Sequence, residues 1–198
     1  MRKVVFLLVT FLLPILVCGQ SKKVNELGFV FTNPDQFGLT YRIGNEHGMW
    51  RFNGLNLSGN YSTSTHNTTV NTSNTLGFGV SVGREFRLPI NHQVDFRYGA
   101  DLLFTYSKNY TETEETGSFI YSEHQTIENK TPGVCLVFGL NLNLKYFIVG
   151  AELKPSIQYN FGSTDNTEGT NPTEHKAQTG LVFGLSNLPV QFSIVYPF

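Results

Sequence analysis

Opposite charges alternate along two neighbouring stretches of this 198-residue sequence. Glu85 and Arg87 are two residues apart, as are Asp95 and Arg97, and Asp101 follows in the second stretch. Residues two apart on a β-strand project from the same face, so this spacing gathers carboxylates and guanidinium groups where they can form ion pairs. Asp95 and Asp101 would lie about 20 Å apart on such a strand, too far for two carboxylates to act on one bond. The spacing therefore predicts a structural ion network.

Other residue types that could do chemistry are scattered. Ser122, Glu123 and His124 are the nearest approach to a nucleophile, an acid and a base, but adjacent side chains on an extended chain point apart and do not form a triad by themselves. We favour an ordinary polar loop for this trio. The histidines all fall in predicted turns or loops without the spacing of paired metal ligands: His47, His66, His92, His124 and His175. We therefore predict no metal, no cofactor and no enzymatic activity.

The first residues have the pattern of an export signal. Arg2 and Lys3 precede the apolar run 4–17, and the small residue Gly19 suits cleavage before Gln20. The run is too short and too interrupted to favour a membrane helix. The sequence thus predicts a protein that leaves the cytoplasm.

Cleavage would divide the chain into a signal peptide, 1–19, and one domain, 20–198. Loss of two basic residues changes the formal charge from −1 to −3, and no basic cluster suggests a nucleic-acid partner. An alternative is a lipoprotein acylated on Cys18, which the bulky Val17 disfavours. If Cys18 leaves with the signal, Cys135 is alone, and neither an internal disulfide nor a cysteine metal site can form.

The domain shows a hydrophobic period of two. In one stretch, seven alternate positions are apolar or aromatic, with mainly polar residues between them: Val94, Phe96, Tyr98, Ala100, Leu102, Phe104 and Tyr106. The same alternation recurs in 76–88, 134–144 and 147–161. This pattern predicts an all-β fold whose strands have one apolar and one polar face.

Eight strands are predicted, joined alternately by short turns and long polar connections. The strands are 26–33, 37–44, 49–62, 76–89, 93–107, 131–144, 147–162 and 177–198, and the long connections are 63–75, 108–130 and 163–176. The alternation changes phase near Asn53-Gly54 and again over 186–189. We interpret both changes as β-bulges. A hairpin at the second position is the alternative and would give nine strands.

The composition of the two strand faces indicates which face points inward. The polar faces carry Gly, Ser, Asn and opposite charges, which suit a narrow interior better than a water-exposed surface. Aromatic residues collect near strand ends as in interfacial belts, with Trp50, Phe52, Tyr146, Phe147 and Tyr196 on one side and Tyr61, Tyr106, Tyr110 and Tyr159 on the other. We predict an eight-stranded antiparallel up-and-down transmembrane β-barrel, with a secreted β-sandwich or lipocalin-like barrel as the alternative.

The end of the sequence resembles the C-terminal assembly signal of bacterial outer-membrane barrels, through Val190, Phe192, Ile194, Tyr196 and Phe198. Pro197 is unusual in that pattern. Cleavage before Gln20, together with Asn25-Glu26-Leu27-Gly28 and Tyr98-Gly99-Ala100-Asp101-Leu102, is similar to small outer-membrane β-barrel proteins of Bacteroidetes-type bacteria. The resemblance implies an outer-membrane location, with membrane lipid and the barrel-insertion machinery as partners. It brings no catalytic residue.

The turn Ile90-Asn91-His92 predicts a register that pairs Arg87 with Asp95 and Glu85 with Arg97. Charges would then complement one another inside the barrel and close the lumen. The predicted lumen network comprises Arg42, Arg51, Glu85, Arg87, Asp95, Arg97, Asp101, Glu152 and Lys154. A register that separates the two pairs would favour a pore instead.

These observations leave three classes of function. The first is a non-enzymatic outer-membrane barrel with a surface-structural or adhesive role, whose exterior loops 63–75, 108–130 and 163–176 could contact a ligand or a host surface. Loop 108–130 holds five Glu and two Lys, which suit a solvated loop or, alternatively, a site for calcium or a cationic host molecule. The second class is a small pore or a transporter of hydrophobic compounds. The third is a barrel enzyme that modifies lipids.

Overall fold

A computed structural model describes residues 23–33, 36–54, 58–66, 69–115, 121–169 and 171–198. The strands are β1 (Val24–Asn33), β2 (Gln36–Asn45), β3 (Gly48–Gly54), β4 (Ser58–His66), β5 (Thr69–Pro89), β6 (Val94–Glu115), β7 (Tyr121–Asn143), β8 (Ile148–Glu168) and β9 (Glu174–Pro197). The predicted signal peptide, 1–19, and its cleavage site lie outside the described residues. The described part of the chain contains no helix long and apolar enough to cross a membrane.

The strands form one antiparallel sheet that closes on itself. Except for β3 and β4, strands that follow one another in sequence pair, and β1 pairs with β9 from Glu26↔Pro197 to Phe31↔Phe192. Both β3 and β4 pair with β5, so these two segments share one of eight positions in the ring. The prediction of an eight-stranded antiparallel up-and-down barrel is confirmed.

Both predicted changes of phase appear as changes of register. Between β3, where Gly54 faces Val80, and β4, where Ser58 faces Gly77, the register with β5 shifts by one residue. On β9, the four residues between Leu185 and Val190 oppose one residue of β8, Lys154. Because β9 continues as a single strand through this irregularity, the bulge interpretation is confirmed and the hairpin alternative is wrong.

The outer face of the barrel is apolar and the inner face is polar. On β5 and β6, outward side chains such as Phe86, Leu88 and Leu102 are 42%, 52% and 63% exposed. Between them, inward side chains such as Glu85 and Arg97 are fully buried. This distribution inverts that of a water-soluble protein, as the alternation predicts.

The barrel has two unlike ends. We call the end with the turns after β2, β5 and β7 the turn end, and the opposite end the hairpin end. Strands β5 to β9 contain 21 to 24 residues, whereas β1 and β2 contain ten each, so the hairpin end extends beyond the β1–β2 hairpin.

Strand pairing at the hairpin end corrects the predicted loops. Most of 63–75, 108–130 and 163–176 is strand, and His66, His124 and His175 lie in strands. The prediction of loops failed because it relied on an apolar face as the sign of a strand. Strand pairing needs only backbone hydrogen bonds and residues that favour strands, such as Thr.

Candidate functional site in the barrel interior

Charged side chains from six of the eight positions of the ring meet inside the barrel. We call this group the central network: Glu26 of β1, Arg42 of β2, Arg51 of β3, Glu85 and Arg87 of β5, Arg97 and Asp101 of β6, and Glu152 and Lys154 of β8. The strand alternation places each of these residues on the inner face. All except Arg87 and Lys154 are at most 2% exposed. Desolvated charges of this kind persist only when they are paired.

Glu26 is the centre of one part of the network. Its carboxylate receives hydrogen bonds from Arg87, with Nη1 at 2.6 Å and Nη2 at 2.8 Å, and from Arg42 Nη1 at 3.3 Å. Arg87 Nε also donates to Glu85 Oε1 at 2.8 Å. Since β1 and β5 are three positions apart in the ring, the bidentate Arg87–Glu26 contact spans the lumen.

Arg51 is the centre of the other part. Its Nε donates to Asp101 Oδ1 at 3.0 Å, and its Nη1 donates to Glu152 Oε2 at 2.7 Å from the opposite wall. Arg97 approaches Glu152 at 3.4 Å. Glu85 joins the two parts, because its Oε2 lies 3.6 Å from Arg51 Nη1 and 3.8 Å from Arg42 Nε. The network therefore ties together strands from around the ring.

Two glycines make room for these contacts. Gly83 lies between Arg51 of β3 and Asp101 of β6 in the strand register, so this ion pair passes over a position without a side chain. A Cβ atom at Gly83 would collide with the Asp101 carboxylate and the Ala100 carbonyl oxygen. Gly139 similarly separates Arg97 from Glu152. A glycine between two inward charges on flanking strands lets them meet across it.

The predicted register between β5 and β6 is wrong by two residues. Arg87 faces Arg97, and Glu85 faces Gly99. The predicted Arg87–Asp95 pair is absent from the described contacts, whereas Glu85 and Arg97 still approach diagonally at 3.8 Å. On the outer face, the register correspondingly gives the cross-strand pairs Phe86–Tyr98 and Phe78–Tyr106, each with ring centroids 5.5 Å apart.

The turn explains the observed register. Ile90 N donates to Val94 O at 2.9 Å, and Asn91 Oδ1 accepts from the backbone N–H of Gln93 and Val94 at 2.8 Å each. Three residues therefore form the loop. The predicted register would have placed Ile90 opposite His92, leaving a single residue to reverse the chain, which is too few for a favoured hairpin.

The structure brings together eight of the nine predicted lumen residues and excludes Asp95. Asp95 lies nearer the turn end, where Asn143 Nδ2 donates to it at 2.7 Å. Sequence reasoning missed Glu26, which takes the place expected for Asp95 as a partner of Arg87. The alternation could have identified it, because Leu27 and Phe29 point outward at 50% and 49% exposure.

Contacts at the hairpin end are of a different kind. Here hydroxyl and amide side chains bond between neighbouring strands at 2.8–3.4 Å: Ser73 and Thr75 with Asn109, Thr113 with Asn71, Thr131 with Asn160, Gln125 with Asn166, and Gln178 with Thr164. These bonds strengthen individual strand pairs and follow the wall of the barrel. The central network, in contrast, crosses the lumen.

The Ser122-Glu123-His124 trio lies on β7 and contacts β6. His124 Nδ1 is 3.0 Å from the Tyr110 hydroxyl and 3.4 Å from Glu112 Oε1. Partial burial and the Glu112 carboxylate raise the pKa of Tyr110 above its ordinary value, so the hydroxyl remains protonated near neutral pH. His124 therefore engages the neighbouring strand. Within the described residues, no three His, Cys, Asp or Glu side chains form a group that could hold a metal ion.

The residues of the predicted assembly signal lie on the outer face of β9, except Phe198, which directly follows the strand. Phe192, Ile194, Tyr196 and Phe198 are 45–62% exposed, and Val190 is half-buried. The backbone of Phe198 exchanges hydrogen bonds with Asn25 at 2.8 and 3.2 Å, which extends the β1–β9 closure. Of the predicted aromatic belts, Trp50, Phe52, Tyr146, Phe147, Tyr196, Tyr61 and Tyr159 are exposed, whereas Tyr106 and Tyr110 are half-buried.

Cavities lie on both sides of the central network. The inner cavity, toward the turn end, has a volume of about 280 Å³ and is lined in part by Glu26, Arg87 and Asp95. The outer cavity, toward the hairpin end, has a volume of about 190 Å³, and Lys154 and Gln191 are among its lining residues. The network separates the two spaces.

No family model and no curated protein matches the sequence. The fold is similar to crystal structures of two Acinetobacter baumannii proteins. For CarO2 the TM-score is 0.48 at 9% identity, and for CarO it is 0.43 at 13% identity, each match covering 91% of this chain and 100% of the other. At this level of similarity neither neighbour defines the fold or function of this chain, and the barrel follows from its own strand pairing.

Proposed function

We propose that this chain is a closed, non-enzymatic β-barrel of the bacterial outer membrane that holds three polar hairpins at the cell surface. The inverted distribution of side chains carries the proposal. Large apolar residues face outward around the ring, and paired charges fill the interior. Lipid is the environment that favours such an outer face, and a closed ladder leaves no unpaired sheet edge within it.

Strand lengths support an exterior role for the hairpin end. About 9–11 residues of a tilted strand cross the hydrocarbon core of a bilayer. β1 and β2, with ten residues each, match this span, whereas the 21 to 24 residues of β5 to β9 exceed it. The excess forms the β4–β5, β6–β7 and β8–β9 hairpins, whose polar side chains suit water. A structural role or adhesion to a ligand or host surface is the function we assign to them.

The central network supports a closed lumen on a basis different from the predicted register. Arg51–Glu152 and Arg87–Glu26 contacts cross the interior and leave separate cavities on either side. An eight-stranded barrel is narrow enough for side chains to fill it. The engagement of His124 by Tyr110 and Glu112 supports a structural role for the Ser122-Glu123-His124 trio.

A small pore is the second candidate, and the observed register favours it, because it separates Arg87 from Asp95. Ions would pass only if the network parted. Fractionation should recover the mature chain in the outer membrane with heat-modifiable gel migration, and single-channel recordings of the purified protein in planar bilayers should show no steady conductance. Recovery as a soluble monomer would contradict the membrane location, and steady conductance would favour the pore.

The insertion machinery is the proposed partner of the last strand, and Phe198 provides the test. Phe198→Ala keeps the backbone bonds to Asn25 but removes the aromatic side chain. If the insertion machinery recognises the Phe198 side chain, we expect the inserted fraction to fall and the precursor to become protease-sensitive. Phe183→Ala, at an outward phenylalanine that is 77% exposed, is the matched control. Unchanged insertion of Phe198→Ala would assign the residue to lipid contact alone.

A further inference from the structure

The outer cavity is a section of the lumen itself. Every position of the ring contributes a lining residue, and the central network separates this space from the inner cavity. Solvent reaches it, because the Lys154 side chain on its wall is 19% exposed, whereas those of Asp101 and Glu152 beside it are at most 1% exposed. The cavity is therefore a cup that opens toward the hairpin end. The charged side chains of the central network close it toward the turn end.

The wall of the cup nearest the network is positively charged. In the central network as the structure describes it, the five cations Arg42, Arg51, Arg87, Arg97 and Lys154 meet the four carboxylates Glu26, Glu85, Asp101 and Glu152, leaving one formal positive charge. Lys154 is the member of this group that lines the outer cavity.

Lys154 is only partly satisfied by its neighbours. Its Nζ donates to Gln191 Oε1 at 3.0 Å, but Asp101 and Glu152 lie at 3.6 and 3.7 Å, beyond good hydrogen-bond distance. Arg51 binds the Asp101 carboxylate and Glu152 Oε2, and Glu152 Oε1 makes no hydrogen bond to Lys154 or to another described residue. The ammonium group, which has three donors, can therefore accept a further anionic partner from the cavity.

The remaining walls combine apolar and neutral polar groups. Val30, Leu103 and Cys135 contribute apolar surface, while Ser81, Ser156 and Gln158 contribute hydroxyl and amide groups. The volume of about 190 Å³ is of the order of an engineered protein cavity that holds benzene. A compact ring or short alkyl group fits such a space.

We propose that the outer cavity binds a small carboxylate with a compact apolar body, whose carboxylate pairs with Lys154. The inference rests on the proposed closed barrel, because the network must seal the cup below the ligand. Phosphate lacks the apolar body, an alcohol lacks the charge, and an amine would meet a positive wall. The site should therefore discriminate among probes of similar size.

Calorimetric titration of the full mature barrel in detergent tests this inference, with benzoate, benzyl alcohol, benzylamine and inorganic phosphate as probes. We expect saturable binding of benzoate, at least tenfold tighter than that of the other three. Lys154→Gln should weaken benzoate binding at least tenfold, whereas Lys154→Arg should keep most of it. Lys130→Gln, at a lysine that pairs with Glu128 outside the cavity, is the matched control and should bind as the unmodified barrel does.

Ser81→Leu is a second variant that fills the cavity without changing its charge, and it should abolish benzoate binding. Heat-modifiable migration of each variant shows that the barrel has folded. Absence of saturable benzoate binding, or equal binding by Lys154→Gln and the unmodified barrel, would overturn the inference. Phosphate binding as tight as that of benzoate would overturn the assignment of an apolar body. Single-channel conductance separately tests the closed barrel, so failure of one proposal is distinguishable from failure of the other.

Discussion

The central network and the hairpin end use opposite means to hold strands together. In the network, fully buried charges from strands two to four positions apart meet across the lumen, as in the Arg51–Glu152 contact at 2.7 Å. At the hairpin end, neutral side chains such as Thr75 and Asn109 bond only between adjacent strands. The first arrangement fixes the cross-section of the barrel, whereas the second supports one ladder at a time.

This difference has an energetic consequence. A buried ion pair gains little over a well-packed apolar pair, but removing one partner is costly because the survivor remains desolvated. A half-exposed hydroxyl–amide bond exchanges with water and contributes much less. The network should therefore be sensitive to single substitutions and cooperative, whereas the hairpins should tolerate change and respond locally. Such tolerance is consistent with the exterior role proposed for the hairpins.

The largest effect is expected for Arg51→Met. The variant leaves Asp101 and Glu152 without their closest cation, so the free energy of unfolding should fall by about 3–5 kcal/mol. Urea unfolding in detergent micelles or liposomes measures this change. Arg84→Met is the matched control, because Arg84 lies on the outer face over the Trp50 and Phe86 rings, at 5.4 and 5.7 Å. This variant should lose about 0.5–1 kcal/mol of unfolding free energy. Equal losses for both variants would show that the network is hydrated.

A smaller loss is expected for Gly83→Ala. The added methyl group would meet the Asp101 carboxylate where the Arg51–Asp101 pair crosses Gly83, and overpacking of this kind costs about 1–3 kcal/mol. Gly180→Ala on β9 is the control, since a Cβ there meets no atom within 4 Å, and its stability should change by less than about 0.5 kcal/mol. If Gly83→Ala is as stable as the control, the Arg51–Asp101 pair can form without a glycine between its two strands.

The two regions also differ in how far the sequence predicted them. The strand segments with one apolar face were predictable because a single apolar face imposes a period of two, which also placed Arg42, Arg51 and Glu152 inside. The hairpin strands were not, because both faces are polar and the alternation disappears. The β5–β6 register failed because it depends on the turn, where Asn91 accepts two backbone N–H groups, and not on the charges. Long-range partners such as Glu26 and Arg87 require the closed ring and cannot be read from either strand alone.

The smallest effects are expected at the hairpin end, where they should also be independent of one another. Asn109→Ala removes the acceptor of Ser73 and Thr75, and Thr113→Ala removes the 2.8 Å bond to Asn71. Each should cost about 0.5–1.5 kcal/mol of unfolding free energy. The two sites share no partner, so in the double variant the losses should add to within about 0.5 kcal/mol.

The same double-variant measurement in the central network should give a different result. Arg51 and Arg97 both contact Glu152, at 2.7 and 3.4 Å, so removal of either cation changes what the other stabilises. In the double variant with Arg51→Met and Arg97→Met, the loss of unfolding free energy should differ from the sum of the two single losses by about 0.5–3 kcal/mol. Urea unfolding of all six variants under one condition compares the regions directly. If the losses add in both regions, the charges of the central network act as separate pairs. If the losses at the hairpin end do not add, the hairpin end behaves as a single unit.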